Sequence, residues 1–184
     1  KRRRRFERHF EAFLPPGGYP ALECLPGGTP LVLTPTVTPN LVSSRGRITN
    51  EEIANTVRLL QEARQGPALI AGHYPILRQT NTYRMTRERS MRGAAGFHRA
   101  LGSLERNLLY VCGHMHRFSY VHDPQYPAVG HLSTGAFFHN DRRQLRLGEF
   151  SEIHVTPLGF RVFRYHYDGQ WVRREMSAET LRDA

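Results

Sequence analysis

Apolar positions along this chain change period several times, and each change predicts an element. Phe6, Phe10, Phe13 and Leu14 recur at helical spacing and predict a helix over 3–14, which Pro15-Pro16-Gly17-Gly18 stops. Short extended runs at 21–25 and 30–33, set between Pro and Gly, predict two strands. The signals then sharpen. Thr49 followed by Glu52 forms a capping box, and Ile48 and Ile53 form a hydrophobic staple around it. Ile53, Val57, Leu60 and Ala63 line one face of the helix so started, which Gly66-Pro67 ends.

A helix-to-strand step follows twice. The first helix leads into the apolar strand Ala68-Leu69-Ile70-Ala71, which ends in Gly72-His73. A second helix over 93–104, with Phe97, Ala100, Leu101 and Leu104 inward, leads into Leu108-Leu109-Tyr110-Val111-Cys112, which ends in Gly113-His114. Strands that are apolar without alternation belong to a sheet covered on both faces, so the predicted class is α/β. Beyond His116 the pattern is β: strands at 119–121, 128–133, 150–156 and 159–167, turning at Pro157-Leu158-Gly159 and Asp168-Gly169. The last dozen residues read as a polar tail or a frayed helix. The organisation expected is a single partial domain over 1–184, with candidate chemistry in about 68–117 and a β-rich part over about 118–172.

Composition adds three constraints. No apolar run is long enough to span a bilayer. Two cysteines, Cys24 and Cys112, are too few for a disulfide framework; Cys112 reads as a buried free thiol, and a reducing cytoplasm is the expected compartment. With 26 basic against 16 acidic residues the chain carries +10, mostly as arginine, whose planar fork suits phosphate oxygens. The chain opens on Lys1 without a secretory pattern. Its first predicted helix begins in the positive charges Lys1 to Arg5, where the helix dipole disfavours them. Both features fit a stretch continued from upstream, and the charges also fit a basic arm for nucleic acid.

The candidate chemistry lies at the strand ends. Ligands of open α/β sheets bind beyond the carboxyl ends of the strands. Glycine there lets the backbone turn so that the next side chain faces the crevice. His114 and His116, separated by one residue in an extended segment, point to the same side. His73, His114 and His116 are thus expected to converge on one point, where imidazoles bind zinc, iron and related ions. The other seven of the ten histidines (His9, His98, His122, His131, His139, His154 and His166) are read as hydrogen-bonded structural residues.

In this setting Ile70-Ala71-Gly72-His73-Tyr74-Pro75 resembles the Gly-His-x-Pro motif of calcineurin-like metallophosphoesterases. Tyr110-Val111-Cys112-Gly113-His114-Met115-His116 resembles their closing Gly-His-x-His motif, and Ser133-Thr134-Gly135 the small-residue strand that often follows. The resemblance implies the C-terminal part of a four-layer α/β/β/α sandwich. It also implies phosphoester hydrolysis by a hydroxide bridging two divalent ions (manganese, iron or zinc). On it, His73 and His114 would bind one ion and His116 the other. The family's Asp-x-His, Gly-Asp-x-x-Asp and Gly-Asn-His-Asp/Glu motifs do not occur here. They supply the remaining ligands, including the bridging carboxylate, and the outer histidine, so no catalytic residue is assigned. The chain is therefore expected to be an incomplete site, inactive alone.

The segment after His73 holds Arg78, Arg84, Arg87, Arg89 and Arg92, with Tyr83 among them. It is expected either to overhang the site, with Arg78, Arg84, Arg87 and Arg89 binding a phosphorylated substrate, or to be a solvated loop. Two other functions fit the sequence: a basic nucleic-acid-binding module with structural histidines only, and a non-catalytic scaffold of the same family.

Overall fold

The computed structural model describes residues 8–37, 45–137 and 148–180. Local chemistry fixes the first long helix. Thr49 is extended, its hydroxyl accepts the Glu52 amide at 3.2 Å, and the Glu52 carboxylate accepts the Thr49 amide at 2.6 Å. This capping box opens α1 (Asn50–Glu62), and Ile48 and Ile53 are both buried in one cluster around it. Thr56, buried on the inner face, donates its hydroxyl proton to the Glu52 carbonyl at 2.7 Å, so its burial leaves no unpaired group. α2 (Ala94–Gly102) buries Phe97 and Leu101, with Ala100 and Leu104 partly buried beside them.

The main sheet has seven strands in the order β1 (Ala21–Cys24), β2 (Pro30–Leu33), β3 (Ala68–Ala71), β4 (Leu108–Cys112), β6 (Val129–Thr134), β5 (Phe118–His122) and β10 (Glu179–Thr180). β2, β3, β4 and β6 are parallel neighbours; β1 and β5 run antiparallel to theirs, and β10 lies parallel to β5. A second sheet is an antiparallel meander of β7 (Glu149–Thr156), β8 (Gly159–Tyr167) and β9 (Trp171–Met176).

Alternation along the central strands separates two cores. Ala68, Ile70, Leu108, Tyr110 and Cys112 face α1 and α2. Leu69, Leu109 and Leu132 face the small sheet, where they meet Val162 with Ile153, Phe160 and Met176 around it. This two-sided burial is why β3 and β4 show no alternation of apolar and polar positions. Among the described residues the layers are helices, large sheet and small sheet. The α/β class expected from the sequence is observed, and a fourth layer is not among them. Fully burying a side chain such as Leu60, Leu101 or Leu108 contributes about 1.5–3 kcal/mol. An exposed pair such as Arg58–Glu62 contributes about 0–1 kcal/mol. The apolar faces, and not the many surface charges, hold the layers together.

Two expectations are corrected. In the predicted N-terminal helix, residues 8–10 are helical but Glu11–Phe13 tighten into a 3₁₀ turn, which moves side chains off the 3.6-residue stripe; Phe10 is 47% exposed. Phe6 and Lys1 to Arg5 lie outside the described residues. Within the described residues the predicted polar tail is instead the strands β9 and β10; residues 181–184 lie outside them. β9 is an edge strand. Its Met176 packs inward opposite Val162, while Arg173 lies outward over the Phe163 ring at 3.6 Å. A strand with one face and one edge in solvent has a polar composition that hides it from a hydrophobicity pattern.

Replacing Thr49 with alanine removes one half of the capping box and is expected to destabilise the fold by about 1 kcal/mol, read as a lower urea midpoint with unchanged slope. On the outer face of the small sheet, Glu152 accepts hydrogen bonds from the Tyr165 hydroxyl at 2.7 Å, from Arg173 Nε at 3.1 Å and from His154. These lower its carboxyl from the ordinary 4.5 to about 2. A carboxyl depressed by folding adds stability above its unfolded value and loses it as pH falls towards the folded one. Glu152→Gln is therefore expected to flatten the acid limb of stability between about pH 4.5 and 2. An acid limb identical to that of the unaltered chain would show that these bonds add no net stability.

Candidate metal centre

β3 and β4 pair in parallel with Ala71 opposite Val111, so the chain leaves both strands at the same edge of the sheet. The two exits are stitched together by backbone. The Gly72 amide donates to the Val111 carbonyl at 3.0 Å, and the amides of Gly113 and His114 donate to the His73 carbonyl at 3.3 and 3.0 Å. Thr36, buried beyond β2, supplies a third tie: its hydroxyl oxygen accepts the amides of His73 at 2.7 Å and Tyr74 at 3.2 Å. Beneath them the Tyr110 hydroxyl donates to the Tyr74 carbonyl at 2.6 Å.

This framework sets His73 Nε2 at 3.1 Å from His114 Nδ1, with the Tyr74 ring 4.0 Å from the His114 ring. Two imidazole nitrogens at that separation must share a proton or a cation. With metal–nitrogen bonds of about 2.1 Å, a 3.1 Å bite subtends about 95° at the ion, between tetrahedral and octahedral demands. Burial, then the charge of His116, lowers the pKa of His73; burial, then the charges of His73, His116 and Arg89, lowers that of His114. Both shifts favour the neutral imidazole, the form that ligates metal.

The physical account of the glycines differs from the expected one. Neither Gly72 nor Gly113 has a positive φ. Gly72 is required by close approach: a Cβ there would sit 2.3 Å from the Tyr110 hydroxyl and 2.9 Å from Thr34 Oγ1. At Gly113 the nearest atom to such a Cβ is Thr134 Oγ1 at 3.8 Å, an ordinary contact. The segment after β4 is also not extended. The His116 amide donates to the Gly113 carbonyl at 3.2 Å, closing a tight turn, and His116 itself takes the left-handed φ of 52°. His116 is thus placed by a turn and not by strand alternation. Its charge acts on both other histidines, but the three do not gather ligand atoms within 4.8 Å of one another. His73 and His114 form a two-nitrogen bite, with His116 to one side.

The arginine-rich segment is packed down. Tyr83, Met85, Ser90 and Met91 are buried. The Met85 amide donates to the Arg78 carbonyl at 2.8 Å, the Ser90 hydroxyl to the Arg87 carbonyl at 2.7 Å, and Arg45 Nε to the Ser90 carbonyl at 2.8 Å. Arg78, Arg84, Arg87 and Arg89 are exposed, and the charge of Arg89 reaches His114. The charges of Arg78 and Arg45 fall instead on Glu88.

Sequence reasoning passed over a second cluster, on the helix side of the sheet. The side chain of Asp123, just past β5, is wholly buried. Oδ1 accepts the amides of Gln125 at 2.9 Å and Tyr126 at 3.0 Å; Oδ2 faces Nε2 of His98 at 2.5 Å and of His131 at 2.7 Å. Burial raises its pKa, but the hydrogen bonds of His131, His98 and the Gln125 amide outweigh burial and hold the carboxyl well below the usual range. His98 and His131 are hydrogen-bonded as expected. Asp123-Pro124 after a strand signals a turn aspartate, but not one that gathers two histidines from α2 and β6.

No family model matches the chain, and no curated protein matches it.

The glycine geometry gives a contrast. Gly72→Ala is expected to lower stability by about 1–3 kcal/mol and to weaken divalent-metal binding through displacement of His73, whereas Gly113→Ala leaves both within about 0.5 kcal/mol. Urea melts and metal titration of both variants check this, and equal effects would refute the steric assignment.

Proposed function

We propose that this chain is the C-terminal part of a metal-dependent phosphoester hydrolase whose metal centre includes His73, His114 and His116. The observation that carries the reading is the meeting of His73 and His114 at 3.1 Å beyond two adjacent parallel strands, with both imidazoles biased towards the neutral form. His73 and His114 hold one divalent ion and His116 a second, with manganese, iron and zinc all compatible with imidazole. When bound, two such ions neutralise charge on the phosphoryl oxygens and lower the pKa of the water that attacks phosphorus.

The chain's own residues prepare that chemistry. Thr36 and the His73 carbonyl fix the two loops, and the Tyr74 ring, tilted by 30° against that of His114, restricts it. Arg89 brings positive charge to the site for the phosphate; Arg78, Arg84 and Arg87, exposed on the same segment, extend that surface towards a phosphorylated substrate. Three imidazoles offset the repulsion of two dications poorly, so the remaining carboxylate ligands come from outside residues 1–184, and this chain alone is inactive. The same part completes a four-layer sandwich by covering the small sheet, where Trp171 is 44% exposed and Phe137, stacked on it, 48% exposed.

The test is manganese-dependent hydrolysis of an aryl phosphodiester and an aryl phosphomonoester. This chain is assayed beside a form extended by its upstream coding sequence. Only the extended form is expected to turn over, with His114→Ala lowering its rate at least about a hundredfold. Replacing Arg84, Arg87 and Arg89 together by alanine is expected to raise KM about tenfold or more. Robust turnover by the 184-residue chain would refute the claim that its site is incomplete. An extended form that carries the carboxylate motifs yet cleaves neither ester would overturn the hydrolase reading. Steeply salt-dependent nucleic-acid binding without a metal requirement would point to the basic module instead.

A further inference from the structure

We propose that His98, Asp123 and His131 form a separate binding site for a single zinc-class divalent ion, independent of the phosphoesterase reading. Three independent parts of the fold deliver the three groups: α2 carries His98, the turn after β5 carries Asp123 and β6 carries His131. Their ligand atoms all lie within 4.8 Å of one another, unlike those of His73, His114 and His116.

The carboxylate is oriented for one-oxygen coordination. The backbone amides of Gln125 and Tyr126 occupy Oδ1 and turn Oδ2 towards both imidazoles, the arrangement in which outer hydrogen bonds hold a ligating carboxylate. Both imidazoles present the same nitrogen, Nε2, to that oxygen. No lysine or arginine pairs with Asp123 among the described ion pairs, so its side-chain partners there are the two imidazoles. A divalent ion placed among the three would take the Nε2 lone pairs, each ring keeping its proton on Nδ1, and would face the carboxylate with a stronger counter-charge.

Two imidazole nitrogens and one carboxylate oxygen are the donor set of zinc sites that keep a fourth position for water. Zinc bonds of about 2.0–2.1 Å place tetrahedral ligand atoms about 3.3 Å apart, so the contacts at 2.5 and 2.7 Å open by roughly 0.6–0.8 Å on binding. His98, whose side chain is 16% exposed, is the point of entry, while the side chains of Asp123 and His131 are 0% and 6% exposed. An ion there would tie α2 to the β5–β6 pair, adding to the hydrogen bonds and apolar packing that already join them.

Cobalt(II), which reports its coordination through visible absorption, is the probe. The chain carrying His73→Ala, His114→Ala and His116→Ala lacks the other candidate centre. It is expected to bind one cobalt ion with the absorption of a four- or five-coordinate nitrogen–oxygen site. Adding His98→Gln, which keeps a hydrogen-bonding group towards Asp123 and therefore the fold, is expected to weaken cobalt binding at least about a hundredfold. Asp123→Asn should do the same wherever circular dichroism shows it folded. A folded triple variant with no cobalt absorption, or absorption unchanged by His98→Gln, would overturn the site and leave a hydrogen-bonded structural cluster only.

Discussion

A buried phenol that must find a partner governs the candidate centre. Tyr110 is wholly buried in the middle of β4, and leaving its hydroxyl unpaired there costs about 1–3 kcal/mol. It donates to the Tyr74 carbonyl, and so pulls the chain that leaves β3 down against β4. The approach is close enough that residue 72 must be glycine, and it leaves His73 and Tyr74 within reach of the Thr36 hydroxyl. The Tyr110 ring also meets Phe97 of α2 edge-on, so one side chain links helix, sheet and loop. Burial pushes its hydroxyl well above the ordinary range, which keeps it a proton donor to that carbonyl.

Much of the fold is legible in the sequence because its signals are local. Thr49 and Glu52 cap α1 within four residues, and the unbroken apolar strands report directly that two faces are covered. β9 and β10 escape because an edge strand owes its conformation to its neighbours: Arg173 and Glu175 are strand residues only because Tyr165 and Phe163 lie opposite. The site divides in the same way. That His73 and His114 come together follows from two adjacent parallel strands, each followed by Gly-His at the same edge of the sheet. That a turn with a left-handed His116 follows, and that Asp123 collects histidines from α2 and β6, depends on contacts between distant segments that no spacing encodes.

The two histidine groups embody opposite solutions to one electrostatic problem. Asp123 stays ionised in the interior because four donors surround it, and its histidines serve that charge. Burial, and then neighbouring positive charge, presses His73 and His114 towards the neutral form, which leaves a lone pair on each ring. One group is organised around an anion already present, which a bound ion would neutralise; the other offers its imidazole nitrogens.

The stitched strand exits bear on motion. Functional loops commonly owe their reach to slack backbone. Here the amides of Gly72, His73, Tyr74, Gly113 and His114 are engaged across β3 and β4 or on the Thr36 hydroxyl, and that of His116 closes the turn after β4. The histidines therefore ride on backbone that opens only when the sheet itself opens. Their amides belong with the slowly exchanging core of the protein, and any adjustment to a bound species falls to side-chain torsions.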